Sequence, residues 1–180
     1  LSGGQTDELE VRLQGEFANH PSQPIVIAAL KGLLSSALGD RINYVNASLE
    51  AKDRGINVLE VKDESSRDFA GGSLQLTTRG DRGGHSVTGT VFNDGNLRIT
   101  SIDEFPVNVS PSKHMLFTRH RDMPGIIGQI GSMLGKHNVN IASMQVGRRI
   151  VRGEAVMVLS IDDPIPSELL GSILSMQGIN

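Results

Sequence analysis

The chain has no cysteine, no tryptophan and a single tyrosine, Tyr44, among its 180 residues. Without cysteine there is no disulfide, no thiolate-held zinc and no cysteine nucleophile. That fits a reducing compartment, and the cytoplasm is the expected location. No apolar run approaches the roughly 20 residues that a membrane-spanning helix needs. The opening LSGGQTDELE is too polar and acidic for a secretory signal. The net charge is −3 and no basic stripe runs along the chain, so neither nucleic acid nor a membrane is an expected partner. Catalytic signatures are missing as well: there is no nucleophile elbow, no HExxH and no GxGxxG. The five histidines are scattered without ligand spacing, so neither a catalytic residue nor a metal site is expected.

What is present is an aliphatic core and many turns. Hydrophobic residues make up 38 % of the chain, enough for an ordinary core, and its 21 glycines mark turns and close backbone approaches. Residues 8–17 alternate Leu9, Val11 and Leu13 with Glu10, Arg12 and Gln14, the period of a half-buried strand. Residues 25–38 read as a helix by length and spacing, and 48–54 as a short one closed by Gly55. Strands are predicted over 56–62, 74–78, 85–92, 96–102 and 105–109, with Asn93-Asp94-Gly95 as a hairpin signal. Ser110-Pro111-Ser112-Lys113 breaks the pattern, and the domain boundary is placed there. Beyond it the order is strand 114–119, helix 125–136, strands 139–148 and 154–161, and helix 167–176. That is βαββα, a βαββαβ unit without its last strand, whose open sheet edge a partner could cover.

One corner stands out for chemistry. The turn HRDMPG, His120 to Gly125, links a strand to a helix. Asp122 is placed to cap that helix, and Pro124 near its start forfeits no hydrogen bond. Gly125 lets a ligand approach the backbone, and the N–H groups of Ile126 and Ile127 would point at a carboxylate. Asp122 could pair with an ammonium and His120 could donate to an oxygen, a set that suits an amino acid zwitterion; the same residues also make a well-capped helix. Asn138 sits where a left-handed turn is tolerated, and Asn140 opens the next strand with a donor and an acceptor. The face formed by Ile126, Ile127, Ile130, Met133 and Leu134 is core. A second candidate is RGDRGGH, where Arg79, Arg82 and His85 could hold an anion, with Arg98 and Lys113 as further basic groups; the stronger reading is a charged hairpin, and it is no P-loop.

These residues carry a resemblance. Residues 115–161, beginning MLFTRHRDMPGIIGQIGSMLGKHNVNIASMQV, resemble an ACT domain, a βαββαβ module that usually binds amino acids and regulates a linked enzyme. The strings ELEVRLQGEFANHP, YVNASLEAKDRGINVLEVK and RGGHSVTGTVFNDGNLRITSIDEFPVNV resemble the intervening, allosteric-substrate-binding domain of the D-3-phosphoglycerate dehydrogenases. The implied fold class is α+β: a mixed α/β intervening domain over 1–110, then a ferredoxin-like ACT domain over 111–180 that lacks its last strand. The resemblance implies the regulatory C-terminal portion of an enzyme that oxidises 3-phosphoglycerate with NAD, the first step of L-serine biosynthesis. The cofactor would belong to the parent enzyme, with none in these residues. ACT domains of that family pair side by side, so a homo-oligomer is implied, with a tetramer open to the parent. L-serine would bind where two ACT domains meet, on His120, Asp122 and Asn140 and on backbone near Gly125, Ile126 and Ile127. Several members carry Asn where Asp122 stands, and others Tyr where His120 stands. Some members hold an anion on the intervening domain; Arg98 fits one such position, while Ser110 occupies the second. Two other readings are the beta-type subunit of an iron–sulfur L-serine dehydratase, which has a related pair of domains, and a free-standing amino-acid-sensing ACT protein.

Overall fold

The computed structural model describes residues 5–65, 69, 71–81 and 83–179. The chain divides into two compact units, one through Leu97 and one from Arg98. The sequence break at residues 110/111 lies later than this division, which counts residues 98–109 in the second unit.

In the first unit, strand β1 (Thr6–Gln14) lies between β2 (Asn57–Asp63), parallel to it, and β3 (Ser73–Gly80), antiparallel to it. Strand β4 (Gly83–Val91) returns antiparallel along β3. The alternation in β1 is realised, with Leu9, Val11 and Leu13 only 1–2 % exposed. Strand β1 ends at Gln14, three residues earlier than its pattern, because a 3₁₀ turn takes Gly15–Asn19. A parallel pair cannot be joined by a tight turn. The crossover from β1 to β2 is made by helices α1 (Gln23–Leu38) and α2 (Ala47–Asp53). Val26, Leu30 and Leu34 of α1, spaced by four, pack with Leu9, Val11, Ala47, Ala51 and Ile56 into one core. Each fully buried aliphatic side chain there contributes about 1.5–3 kcal/mol. On the opposite face of β1, Arg12 pairs with Glu10 at 2.7 Å, and Arg79 of β3 pairs with both Glu8 and Glu10. Burial alone would raise the Glu10 carboxyl, but hydrogen bonds from Arg12 and Arg79, with their charges, hold it below the usual carboxylate value.

The antiparallel hairpin β5 (Leu97–Ile102) and β6 (Phe105–Val109) lies, from Arg98 on, in the second unit. Then come β7 (His114–Arg121), α3 (Ile126–Lys136), β8 (Ile141–Arg148), β9 (Glu154–Ile161) and α4 (Ser167–Leu174). The sheet order is β7-β9-β8, all antiparallel. Central β9 is buried from Ala155 to Ile161, which is why EAVMVLSI shows no alternation. On one face Met157, Leu159 and Ile161 meet Ile126, Ile130, Leu134, Leu169 and Ile173 of the helices. Strand β6 packs against β8 and β9. The approach is close: a Cβ on Gly147 would lie 2.4 Å from the Pro106 carbonyl oxygen, so no side chain fits there. Helix α3 closes as expected, with Asn138 left-handed at φ +56 and Val139 N donating to Leu134 O.

The βαββα order is therefore present, without a final strand among the described residues. Ile179 forms an antiparallel bridge to His120, on the edge of β7 away from β9. No helix among the described residues is long and apolar enough to cross a membrane.

Candidate functional site

The β7–α3 corner is built where the sheet of the second unit ends. His120 sits across from Ala155 and next to the Ile179 bridge. Its side chain points to the helix side of the sheet, in line with Leu116 and Thr118, because strand residues two apart share a face. All three are buried, His120 to 2 % exposure. Neither His120 Nδ1 nor Thr118 Oγ1 has a hydrogen-bond partner among the described residues. Burial lowers the imidazole below the ordinary histidine value, against the opposing pull of the Thr118 backbone and of Asp122. Burial thus favours the uncharged ring, and Nδ1 is left without a partner among the described residues.

Asp122 does not cap α3, contrary to the sequence expectation. The N-cap position is Gly125, held left-handed at φ +97, so no side chain caps the helix there. That conformation suits glycine, and it turns the chain so that Ile126 and Ile127 open the helix, where N–H groups lack an acceptor one turn back. Ile126 is buried in the core and Ile127 is 43 % exposed. The Asp122 carboxylate instead reaches the β8–β9 turn. Its Oδ2 accepts from Arg152 N and from Arg148 Nη1, each at 3.1 Å. The Arg152 N–H first, and then Arg148, hold its carboxyl below the ordinary value. The backbone follows the same route, with Asp122 N donating to Gly153 O at 2.8 Å. Arg148 and Arg152 escaped the sequence reading; the signal for them was the basic run GRRIVRG between two strands.

Asn140 is not at this corner. It precedes β8, and its Nδ2 donates to Asp162 Oδ2 at 2.7 Å just past the end of β9. His120 faces the start of β9 and Asn140 its end. Six residues of strand separate those positions, about 20 Å.

The basic residues are divided. Arg79 is on the face of β3 opposite Thr78 and His85, engaged with Glu8 and Glu10. Thr78 and His85 line a cavity of about 850 Å³ with mostly apolar walls, between α1 and the β3–β4 face. Arg82 lies outside the described residues. Arg98 and Lys113 belong to the second unit, where Arg98 Nη1 donates to Ser110 Oγ at 2.6 Å. Among the described residues, Arg79 and His85 therefore do not converge on one anion.

Residues 1–103 match the family described as the D-3-phosphoglycerate dehydrogenase intervening domain, and 114–180 match the ACT domain. Among curated relatives, a D-3-phosphoglycerate dehydrogenase of Synechocystis is 61 % identical over 180 residues, 99 % of this chain and 32 % of the relative. One from Methanocaldococcus jannaschii is 36 % identical over 98 % of this chain and 33 % of its own length. One from Bacillus subtilis is 33 % identical over 96 % and 33 % respectively. The chain spans about a third of the length of these relatives.

Proposed function

Since the chain belongs to the D-3-phosphoglycerate dehydrogenase intervening-domain family and continues into an ACT domain, corresponding to the C-terminal regulatory region of those enzymes, we propose that it senses L-serine. It does so on behalf of a catalytic part that oxidises 3-phosphoglycerate with NAD. No catalytic residue is assigned within these 180 residues. The functional domains are taken as 1–110 and 111–180.

The site is shared by two copies. One supplies His120, Asp122 and the first turn of α3 at Gly125, Ile126 and Ile127, and the other supplies Asn140. The observation that carries this reading is the separation of about 20 Å along β9 between the His120 end and the Asn140 end. In a two-fold pair that runs the two sheets in opposite directions, one copy's corner lies beside the other copy's Asn140. The unpartnered His120 Nδ1 offers a nitrogen for the ligand's hydroxyl or carboxylate. Such a site couples to turnover only if serine binds one arrangement of the pair more tightly than the other.

Calorimetric titration with L-serine, run beside light scattering on the same sample, tests the reading. The expected result is saturable heat at one serine per shared site on a dimer or larger assembly. No heat from a folded dimer would sink it, and so would full serine binding by a strict monomer.

A further inference from the structure

Resting on the serine reading of the β7–α3 corner, we infer that Arg148 is a resident cation occupying the place of the ligand's ammonium on Asp122. An α-amino acid then engages Asp122 only by displacing it. The geometry is an internal ion pair across 26 residues of sequence: Arg148 Nη1 lies 3.1 Å from Asp122 Oδ2. Asp122 retains 24 % of its side-chain exposure and Arg148 retains 53 %, so the pair sits at the surface and either partner can exchange. An ammonium that takes Asp122 leaves the charge count at the carboxylate unchanged and releases the guanidinium to water, where its solvation cost is small.

The exchange has a mechanical consequence, because the same carboxylate secures the β8–β9 turn. Arg152, left-handed at φ +61, donates its N–H to Asp122 Oδ2. The adjacent Arg149 reaches a different anchor, with Nη1 2.9 Å from Glu104 Oε2 in the β5–β6 turn. The turn tip is therefore tied on one side to the effector corner and on the other to the β5–β6 hairpin. Arg148 is thus both a determinant of affinity at the corner and one of the ties on the turn, and an arriving ammonium loosens that tie while leaving Arg149–Glu104 in place.

The test is L-serine calorimetry on the chain and its Arg148→Gln and Arg148→Lys variants, with thermal melts confirming folding. Removing the competitor tightens serine by about two- to five-fold in Arg148→Gln, the span an exposed ion pair gives. Arg148→Lys, which keeps a cation, stays nearer the parent. Amide hydrogen exchange at Arg152 supplies an independent readout: saturating serine speeds it in the parent. Serine binding by Arg148→Gln alone supports the inference most strongly. Equal or weaker binding by Arg148→Gln overturns it while leaving the serine site standing, as does slower exchange at Arg152 on binding. Absence of serine heat in every form removes both readings together.

Discussion

Both units hold a carboxylate with arginines, but they do so differently. In the first, Glu10 is 8 % exposed and takes hydrogen bonds from Arg12 and Arg79, and Glu8 takes a further one from Arg79. In the second, Asp122 is held by Arg148 and Arg152, while beside it His120 and Thr118 each bury a polar atom with no partner among the described residues. A buried polar group left unpaired costs about 1–3 kcal/mol. A network in which every group is satisfied explains itself by stability; a corner that keeps two orphans needs another reason, and a polar ligand is one. The same contrast separates a strand face that holds β1 to β3 from a corner that keeps polar atoms unpaired.

The largest expected effects test whether the two cores are independent supports of their own units. Leu30→Ala and Ile130→Ala each empty a site that is at most 1 % exposed, and each is expected to cost about 2–5 kcal/mol. Urea melts measure the loss, and hydrogen exchange assigns it: protection should fall at β1–β3 for the first variant and at β7–β9 for the second. Protection lost throughout the chain in both cases would dissolve the comparison.

Smaller changes separate the saturated network from the unsaturated corner. Glu10→Gln removes the shared charge from two arginines and should lower stability by about 1 kcal/mol, since both arginines are partly solvated. His120→Leu removes an orphaned nitrogen, so the unliganded chain should keep its stability or gain up to about 1 kcal/mol, while its serine heat disappears. A loss above about 2 kcal/mol in His120→Leu would mean that the ring's contact with the Thr118 backbone outweighs the unpartnered Nδ1.

The smallest effect is in pH. The folded His120 value lies below the ordinary 6.5. As pH falls through 6.5 the unfolded chain takes up a proton that the folded chain refuses, so the second unit should begin to weaken there. Glu10, held below its ordinary 4.5, contributes stability above that value and loses it only as pH falls through the folded value. Exchange rates measured per residue at pH 7, 5.5 and 4 should show β7–β9 loosening before β1–β3. The reverse order would break the assignment of the first acid-sensitive group to His120.

The sequence by itself determined the elements, since their signals are local. The alternation of Leu9, Val11 and Leu13, the run EAVMVLSI and the left-handed Asn138 each report on a few neighbouring residues, and each stands where it was read. The HRDMPG turn and the βαββα order were legible for the same reason. Which side chains meet was decided only in three dimensions. Asp122 reads as a cap because capping is local, yet it pairs with Arg148 and Arg152, 26 and 30 residues away, once β7 and β9 lie side by side and the β8–β9 turn comes over the corner. Arg79 and His85 share one short motif, yet pairing of Thr78 with His85 sends them to opposite faces of the sheet. Strand order and register put His120 and Asn140 at opposite ends of β9 within one copy. Periodicity is written in neighbouring residues; strand order and register arise from long-range packing, and these decide which charges meet and which polar atoms are left without a partner.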